Sequence, residues 1–143
     1  MQSFRQLYAI SPVYYFPRQI IGPTDRELFK TESEIIASIA KERSAVIMGR
    51  CGSYILHEHP NHVSIFLHAD ITFRKGRLEK LHDLSEREAE EMIIQNDKDR
   101  AQYNHKFTGK EWTDARLYDI TIDTGKMGLD KSAEFLMKYL ERT

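Results

Sequence analysis

Short runs of apolar residues alternate along this chain with longer segments of helical periodicity, and this alternation restricts the possible folds most. The runs at 44–48, 62–67 and 118–123 contain β-branched residues and are too short for ordinary helices, which predicts strands buried on both faces. Because parallel strands need helical crossovers between them, the pattern predicts an α/β layered domain with a mostly parallel sheet.

The helical segments carry recognisable start signals. Thr24 followed by Glu27, and Ser85 followed by Glu88, both match the capping box, in which the two side chains bond each other's backbone N–H groups. The last helix should turn Phe135, Leu136 and Tyr139 inward. Helices are predicted at 24–41, 71–81, 85–103 and 130–140, with Asp70 expected to cap the second of them. A short helix or turn is predicted at 53–58 and a loop at 107–117.

Composition and length set broad limits on the kind of protein. A chain of 143 residues predicts one domain over 1–143, and residues 1–23, with three of the four prolines, predict an irregular arm. No apolar run is long enough for a bilayer, no membrane partner is expected, and the start lacks a secretory core, which together predict a cytoplasmic protein. The single cysteine favours a reducing compartment. The net charge of -1 argues against nucleic acid as a partner.

Gly49, Arg50, Cys51 and Gly52 follow directly after the first predicted strand. Ligands in open α/β sheets bind at the carboxyl ends of strands, and an arginine fork can donate two parallel hydrogen bonds to a phosphate. Glycines on both sides let the backbone approach closely. The segment therefore predicts a phosphate site, although the same residues also suit a tight turn in which Arg50 makes a structural ion pair.

Cations also cluster further along the chain. Arg74 and Arg77 are three residues apart and share one helical face, while Arg100 lies near the end of the long helix. Positive charge from neighbouring helices can stabilise the oxygens of a transferring phosphoryl group. The alternative is that each cation lies on an ordinary solvated helix face. The polar residues grouped with Arg100 in this interpretation are Asp97, Tyr103, Lys106 and Lys110.

Three other patterns carry less weight. The histidine-rich stretch 57–62 lacks the spacing of common zinc sites, so no metal site is expected. Cys51 has no partner of known place that would activate it, and inert buried cysteine is commoner. Cations and aromatics are mixed at 98–112, as in single-strand nucleic-acid grooves, but the neutral overall charge argues against such a groove.

Taken in order, these motifs resemble the cytidylate kinase-like family of nucleoside-monophosphate kinases, in the P-loop NTPase superfamily. The resemblance covers nearly the whole chain, more loosely over 1–23. The residues that carry it are Ser33-Glu34-Ile35-Ile36, Val46-Ile47-Met48-Gly49-Arg50-Cys51, Tyr54-Ile55-Leu56, Phe73-Arg74 with Arg77, Asp97 with Arg100 and Tyr103, Thr108-Gly109-Lys110 with Trp112, and Tyr118-Asp119 to Asp123-Thr124.

The resemblance implies a three-layer P-loop kinase-like fold with a helical lid over about 70–116. It implies transfer of the γ-phosphoryl group of Mg-ATP to a nucleoside monophosphate such as CMP. Arg50 would hold the acceptor's phosphate, Arg74 and Arg77 would begin the lid, and Arg100 would reach toward the transferring group. Cytidylate kinases carry an aspartate after the Gly-Arg pair, where this chain has Cys51.

No stretch of the 143 residues reads G-x-x-x-x-G-K-S/T, the loop that holds the phosphates of ATP. In the family this loop lies near the amino terminus, so the sequence predicts an N-terminally truncated domain that is inactive on its own. The alternative function is a non-catalytic nucleotide-binding or assembly module. A domain lacking its central strand would expose apolar surface and strand edges, which predicts a homo-oligomer.

Overall fold

A computed structural model describes residues 24–141. The predicted arm at 1–23 lies outside these residues. The described chain divides into two compact units, the first made of 24–62 with 106–109 and the second of 63–105 with 110–141.

In the first unit, helix α1 (Asp25–Glu42) packs against the short helix α2 (Gly52–Ile55). The predicted capping box at the start of α1 is confirmed, since Thr24 Oγ1 accepts from the N–H of Glu27 and the Glu27 carboxylate accepts from the N–H of Thr24. Ile36 of α1 is buried. The bounds of α1 agree closely with the predicted helix at 24–41. The short helix or turn predicted at 53–58 is confirmed, since the chain is helical to Ile55 and continues as a turn to residue 58.

The strand predicted at 44–48 is wrong for the part of the chain that the structure describes. Ile47 makes one isolated bridge, and the side chains of Val46 and Met48 are 52% and 54% exposed. β-branched residues favour a pleated, half-buried surface, but a strand forms only where a neighbouring strand pairs with it. Residues 44–48 therefore have the composition of a strand but form no ladder of strand hydrogen bonds among the described residues.

The second unit contains a sheet of two parallel strands, β1 (Ile65–His68) and β2 (Ile120–Asp123). Ile65 lies opposite Ile120 in the register. Just before the strands, Asp119 Oδ2 accepts from the N–H and the hydroxyl of Ser64, at 2.7 and 2.8 Å, and Ser64 Oγ accepts from the N–H of Asp119 at 3.0 Å. These reciprocal bonds fix the register where the strands begin.

The predicted α/β class with a parallel sheet is confirmed for these two strands, but burial of every strand on both faces is wrong. Ile122 is buried, whereas Leu67 is exposed. A short apolar run marks a strand without showing whether other elements cover both of its faces, so the burial of each face depends on tertiary packing. The three-layer arrangement stays a prediction.

Two helices follow β1. Helix α3 (Ile71–His82) begins at Asp70, whose side chain accepts from the N–H of Phe73, as predicted. Helix α4 (Glu86–Thr108) begins with the predicted capping box of Ser85 and Glu88, and it continues past Tyr103, where the sequence pattern ended. Lys75 of α3 forms ion pairs with two carboxylates of α4 at 2.8 and 3.4 Å, which ties the two helices together. These carboxylates belong to Glu86 and Glu90.

The remaining elements are a short 3-10 helix (Ala115–Leu117), then β2, helix α5 (Thr124–Met127) and helix α6 (Leu129–Leu140). The predicted loop at 107–117 is therefore partly helical. Phe135 is 45% exposed and does not point inward as predicted, because the buried stripe of α6 runs through Ser132 and half-buried Leu136, leaving Phe135 at its edge. Among the described helices, none has the length and apolar character needed to cross a membrane.

Candidate functional site

In the second unit, an open cleft lies beside the carboxyl ends of β1 and β2. Parallel strands end at the same edge of a sheet, and here the hydroxyl of Thr124 donates to the backbone oxygen of His68 at 3.0 Å, joining the two ends. The cleft has a volume of about 280 Å³. Its walls are formed by Phe66, Leu67, His68, Ala69, Phe73, Arg74, Arg77, Arg100, Trp112, Thr124 and Leu129.

Arg74 lies near the start of α3 and is paired with Asp97 of α4. Its two terminal nitrogens donate to the two carboxylate oxygens at 2.7 and 2.8 Å, in the bidentate geometry that suits a planar guanidinium. These hydrogen bonds raise the pKa of Arg74 further above its ordinary value, although partial burial opposes the effect. Arg74 is therefore always charged and is held in one orientation in the cleft wall.

Arg100 lies three residues after Asp97 on α4 and makes two weaker contacts. Its guanidinium is 3.6 Å from the Asp97 carboxylate and its central carbon lies 5.1 Å from the centre of the Trp112 ring. The second contact is a cation–π interaction, in which the negative face of the indole attracts the positive guanidinium. The side chain of Arg100 is 48% exposed. One carboxylate thus serves two arginines of the cleft.

Arg77 completes the set of arginines in the cleft wall. It lies three residues after Arg74 on α3, its side chain is exposed, and it has no ion-pair partner among residues 24–141. A guanidinium without a carboxylate partner keeps its five N–H donors available to an anion. Of the three arginines, Arg77 is the one least engaged with the rest of the described protein.

Three aromatic side chains support one side of the cleft. Phe66 of β1 meets Trp112 edge-on with ring centres 5.6 Å apart and stacks on Tyr118 at 4.9 Å. The Tyr118 hydroxyl donates to the backbone oxygen of Trp112 at 2.6 Å. The sequence pattern grouped Trp112 with the lid residues but did not predict this cluster, because the pairing of aromatics from 66, 112 and 118 depends on the sheet register.

The other predicted lid residues are less closely associated with the cleft. Asp97 lies directly behind its wall as the partner of Arg74, whereas Tyr103 and Lys110 are not among the lining residues. Lys106 belongs to the first unit, where its ammonium group pairs with Asp25 and lies 5.5 Å from the ring centre of Phe107. The structure therefore brings together the three predicted arginines and Asp97, but not all of the predicted lid cations.

The predicted acceptor site lies in the first unit, in the turn between Ile47 and α2. Gly49, Arg50 and Cys51 have φ angles of 70°, 52° and 54°, so three successive residues are in the left-handed region. This region suits glycine but costs other residues roughly 1–2 kcal/mol each. Gly52 packs so closely that a Cβ there would lie 3.0 Å from Ile47 Cγ2. The strained turn is held in place by close packing behind it.

Arg50 itself is 3.4 Å from the carboxylate of Glu32 on α1. Both side chains are about one-third exposed, so the ion pair is accessible to solvent. The structural alternative raised from the sequence, an ion pair at Arg50, is therefore present in the structure. An exposed pair of this kind contributes little stability on its own, about 0–1 kcal/mol, so it does not compete strongly with an incoming anion.

Cys51 is buried beside this pair, with 4% of its surface exposed. Burial raises the pKa of its thiol to about 11, the Glu32 carboxylate adds to the increase, and Arg50 opposes it. The thiol is therefore protonated near neutral pH and is a poor nucleophile.

Among residues 24–141, no group of three or more His, Cys, Asp or Glu side chains is arranged to hold a metal ion. In the histidine-rich stretch, the Nδ1 of His57 lies 2.6 Å from the backbone oxygen of Tyr54, and its Nε2 lies 3.7 Å from Glu58. The donors of the arginine cleft instead fit phosphate oxygens, which are what a Mg-ATP complex would present to them.

Comparison with known proteins finds relatives that are similar to most of this chain. The chain is 22% identical over 111 residues to a cytidylate kinase of Sulfurisphaera tokodaii, covering 78% of this chain and 61% of that protein. It is 22% identical over 109 residues to a cytidylate kinase of Saccharolobus islandicus, covering 76% of this chain and 57% of that protein. The chain thus spans less than two thirds of the length of these relatives.

A crystal structure of an uncharacterized protein from Eubacterium ventriosum superposes with a TM-score of 0.77 at 28% identity. The match covers 85% of this chain and 69% of that one. The model of the cytidylate kinase-like family matches residues 2–126, which is most of the sequence and includes every arginine of the cleft. This chain belongs to the cytidylate kinase-like family.

Proposed function

We propose that this chain binds nucleotides through their phosphate groups and takes part in transferring the γ-phosphoryl group of Mg-ATP to a nucleoside monophosphate such as CMP. The observation that carries the proposal is the cleft at the carboxyl edge of the parallel strands, where Arg74, Arg77 and Arg100 meet. Membership of the cytidylate kinase-like family and two relatives named cytidylate kinase support it.

The chemistry of phosphoryl transfer suits such a cleft. Charge spreads over the oxygens of the transferring group, so catalysis is mostly positioning and electrostatic stabilisation. Arg74, fixed by Asp97, and Arg77, without a partner among the described residues, would donate to these oxygens together with Arg100. When bound, Mg²⁺ supplies further neutralisation of the phosphate charge.

The acceptor's phosphate is assigned to the turn in the first unit. Arg50 would bind it through charge-assisted hydrogen bonds, and the glycines at 49 and 52 would allow the phosphate to approach the backbone. Glu32 would be released from Arg50 or would share it when the phosphate arrives. This role is favoured by the solvent-accessible position of the ion pair.

The lid role is proposed for the segment at about 70–116. Asp97 would orient the lid arginines, and Tyr103, Lys106 and Lys110 would be its more distant members. Lys106 would have to exchange Asp25 for a ligand to act on phosphate. We therefore assign the main electrostatic role to the three arginines of the cleft.

Binding and turnover are separate expectations for this polypeptide. Because no G-x-x-x-x-G-K-S/T motif occurs in the 143 residues, we expect the isolated chain to bind nucleotide without measurable transfer. A purely nucleotide-binding or assembly role is the second candidate. The homo-oligomer expected from the sequence also stays a prediction, and light scattering compared with the 16.8 kDa chain mass tests it.

Calorimetry with CMP and with ATP tests the proposal, using Arg77→Ala and, as a matched control, Arg87→Ala. Arg87 is an exposed arginine of α4 that pairs with Glu91 and does not line the cleft. Loss of a charge-assisted bond of about 1.5–3 kcal/mol should weaken binding by roughly 10- to 150-fold in Arg77→Ala. Arg87→Ala should bind like the wild type. Equal affinities of the two variants for both nucleotides would refute the proposal.

A further inference from the structure

Trp112 is the only tryptophan of the chain and lies in the cleft wall with its ring beneath Arg100. Trp112 belongs to the loop between α4 and the 3-10 helix, whereas Arg100 belongs to α4. A guanidinium placed over an indole is attracted to the ring and is also restricted by stacking on its flat face. The ring therefore limits the directions in which Arg100 can point.

Neighbouring residues restrain both the backbone and the ring of Trp112. The Tyr118 hydroxyl donates to the Trp112 backbone oxygen at 2.6 Å, and the Phe66 ring meets the indole edge-on at 5.6 Å. Phe66 belongs to β1, and Tyr118 lies just before β2. The indole is thus fixed to the sheet, and Arg100 on α4 rests against it.

Arg100 needs such a restraint because its other contact is weak. Both Asp97 oxygens already accept short bonds from Arg74, and the nearest Arg100 nitrogen is 3.6 Å from that carboxylate. A side chain that is 48% exposed keeps much rotamer freedom unless a second surface holds it. The indole supplies that surface.

We infer that Trp112 is a positioning residue for Arg100, holding the guanidinium in the cleft so that it can donate to an anionic ligand. The inference rests on the proposed function, since it takes Arg100 to be a phosphate donor. Trp112 acts through Arg100 and takes no proton or bond from the ligand. Its effect should therefore disappear when Arg100 is absent.

A double-mutant cycle on the full 143-residue chain tests this, with inorganic pyrophosphate as the probe in calorimetry. Trp112→Leu should weaken binding by about three- to fivefold, which corresponds to the strength of an exposed cation–π contact. Trp112→Phe keeps an aromatic face and should lose less than about twofold. In the Arg100→Ala background, Trp112→Leu should cause no further loss, because the two residues act as one unit.

The possible results distinguish failure of the Trp112 inference from failure of the proposed function. If Arg100→Ala weakens binding and Trp112→Leu does not, or if the two losses add, the positioning role is overturned and the proposed function stands. If the wild type does not bind pyrophosphate, both fail. If Arg100→Ala binds as well as the wild type, the positioning role is overturned and Arg100 leaves the proposed site, while the test at Arg77 still decides the proposed function.

Intrinsic fluorescence decides the question should Trp112→Leu not fold. Emission of the sole tryptophan should differ between the wild type and Arg100→Ala before any ligand is added, because the guanidinium lies over the indole only in the wild type. Saturating pyrophosphate should leave this difference in place, because Arg100 stays on the ring while it donates to the ligand. Loss of the difference at saturation would show that Arg100 leaves the indole on binding and would overturn the positioning role.

Discussion

The carboxylate of Asp97 accepts hydrogen bonds from both terminal nitrogens of Arg74, at 2.7 and 2.8 Å. The pair joins α3 to α4, and both side chains are about one-third exposed. It therefore has a structural effect, in holding two helices together, and an effect on the cleft, in fixing where one cation points.

Asp97→Asn should destabilise the protein by about 1–2 kcal/mol, because a charge-assisted bidentate pair becomes a weaker neutral contact in a partly solvated site. Urea unfolding followed by circular dichroism measures this. Asp99→Asn is the matched control, since Asp99 is exposed and its carboxylate accepts a hydrogen bond from the side-chain amide of Gln95, one turn away on the same helix. The control should lie within about 0.5 kcal/mol of the wild type. Equal losses in the two variants would show that the Arg74 pair adds nothing to stability.

Two glycine-to-alanine changes should have opposite signs. Gly52→Ala places a Cβ 3.0 Å from Ile47 Cγ2, and this overpacking should cost about 1–3 kcal/mol. Gly76→Ala, inside α3, meets nothing within 4 Å and should stabilise the protein by about 0.5–1 kcal/mol through helix propensity. Thermal or urea unfolding compares them. A stabilising Gly52→Ala would contradict the close packing described beneath the turn at 49–51.

Asp114 should confer a pH-dependent stabilisation at acid pH. Hydrogen bonds from the Arg116 side chain, followed by the Arg116 backbone N–H, lower the pKa of its carboxyl from 3.8 to about 2. A carboxyl with a depressed pKa in the folded state stabilises that state above its unfolded pKa and loses this effect as the pH falls through its folded pKa.

The difference in unfolding free energy between the wild type and Asp114→Asn should therefore be constant above about pH 4 and shrink toward pH 2. Urea unfolding at a series of pH values gives the difference directly. Asp130→Asn, a change of the same type in the first turn of α6, is the comparison. A gap between wild type and Asp114→Asn that persists unchanged to pH 2 would rule out the assignment.

Cys51 should react slowly with iodoacetamide in the native protein. Its thiol is buried and its pKa is raised to about 11, so little thiolate exists near neutral pH. Labelling followed by mass spectrometry at pH 7.5 should be much faster in urea than in buffer, and Cys51→Ser should show no labelling. A native rate close to that of the urea-unfolded chain would mean that the thiol is accessible.

Much of the local structure follows from the sequence alone. The capping pairs of Thr24 and Ser85 and the cap at Asp70 mark helix starts correctly, because these side chains satisfy backbone N–H groups within their own turn. Local chemistry of this kind needs no knowledge of the fold. Strand pairing and strand burial do need it, which is why the strand predicted at 44–48 and the burial predicted for Leu67 are wrong.

The candidate site shows the same division. The spacing of Arg74 and Arg77 places them on one helical face, and the resemblance adds Arg100, so the three arginines are predictable from the sequence. Two contacts depend on how α3, α4 and the following loop pack. These are the pairing of Asp97 with Arg74 and the position of Trp112 under Arg100. The left-handed backbone of Arg50 and Cys51 has no sequence signal either, since neither residue favours it.

The bonds between Ser64 and Asp119 join positions that are 55 residues apart in the sequence. Closing a chain segment of that length is entropically costly, while single helices form from local contacts in about a microsecond or less. We expect α3 and the start of α4 to form early and to shorten the distance the chain must search. The pairing of β1 with β2 would then be the late, rate-limiting event, so the speed of folding should depend on two polar residues at the base of a small sheet.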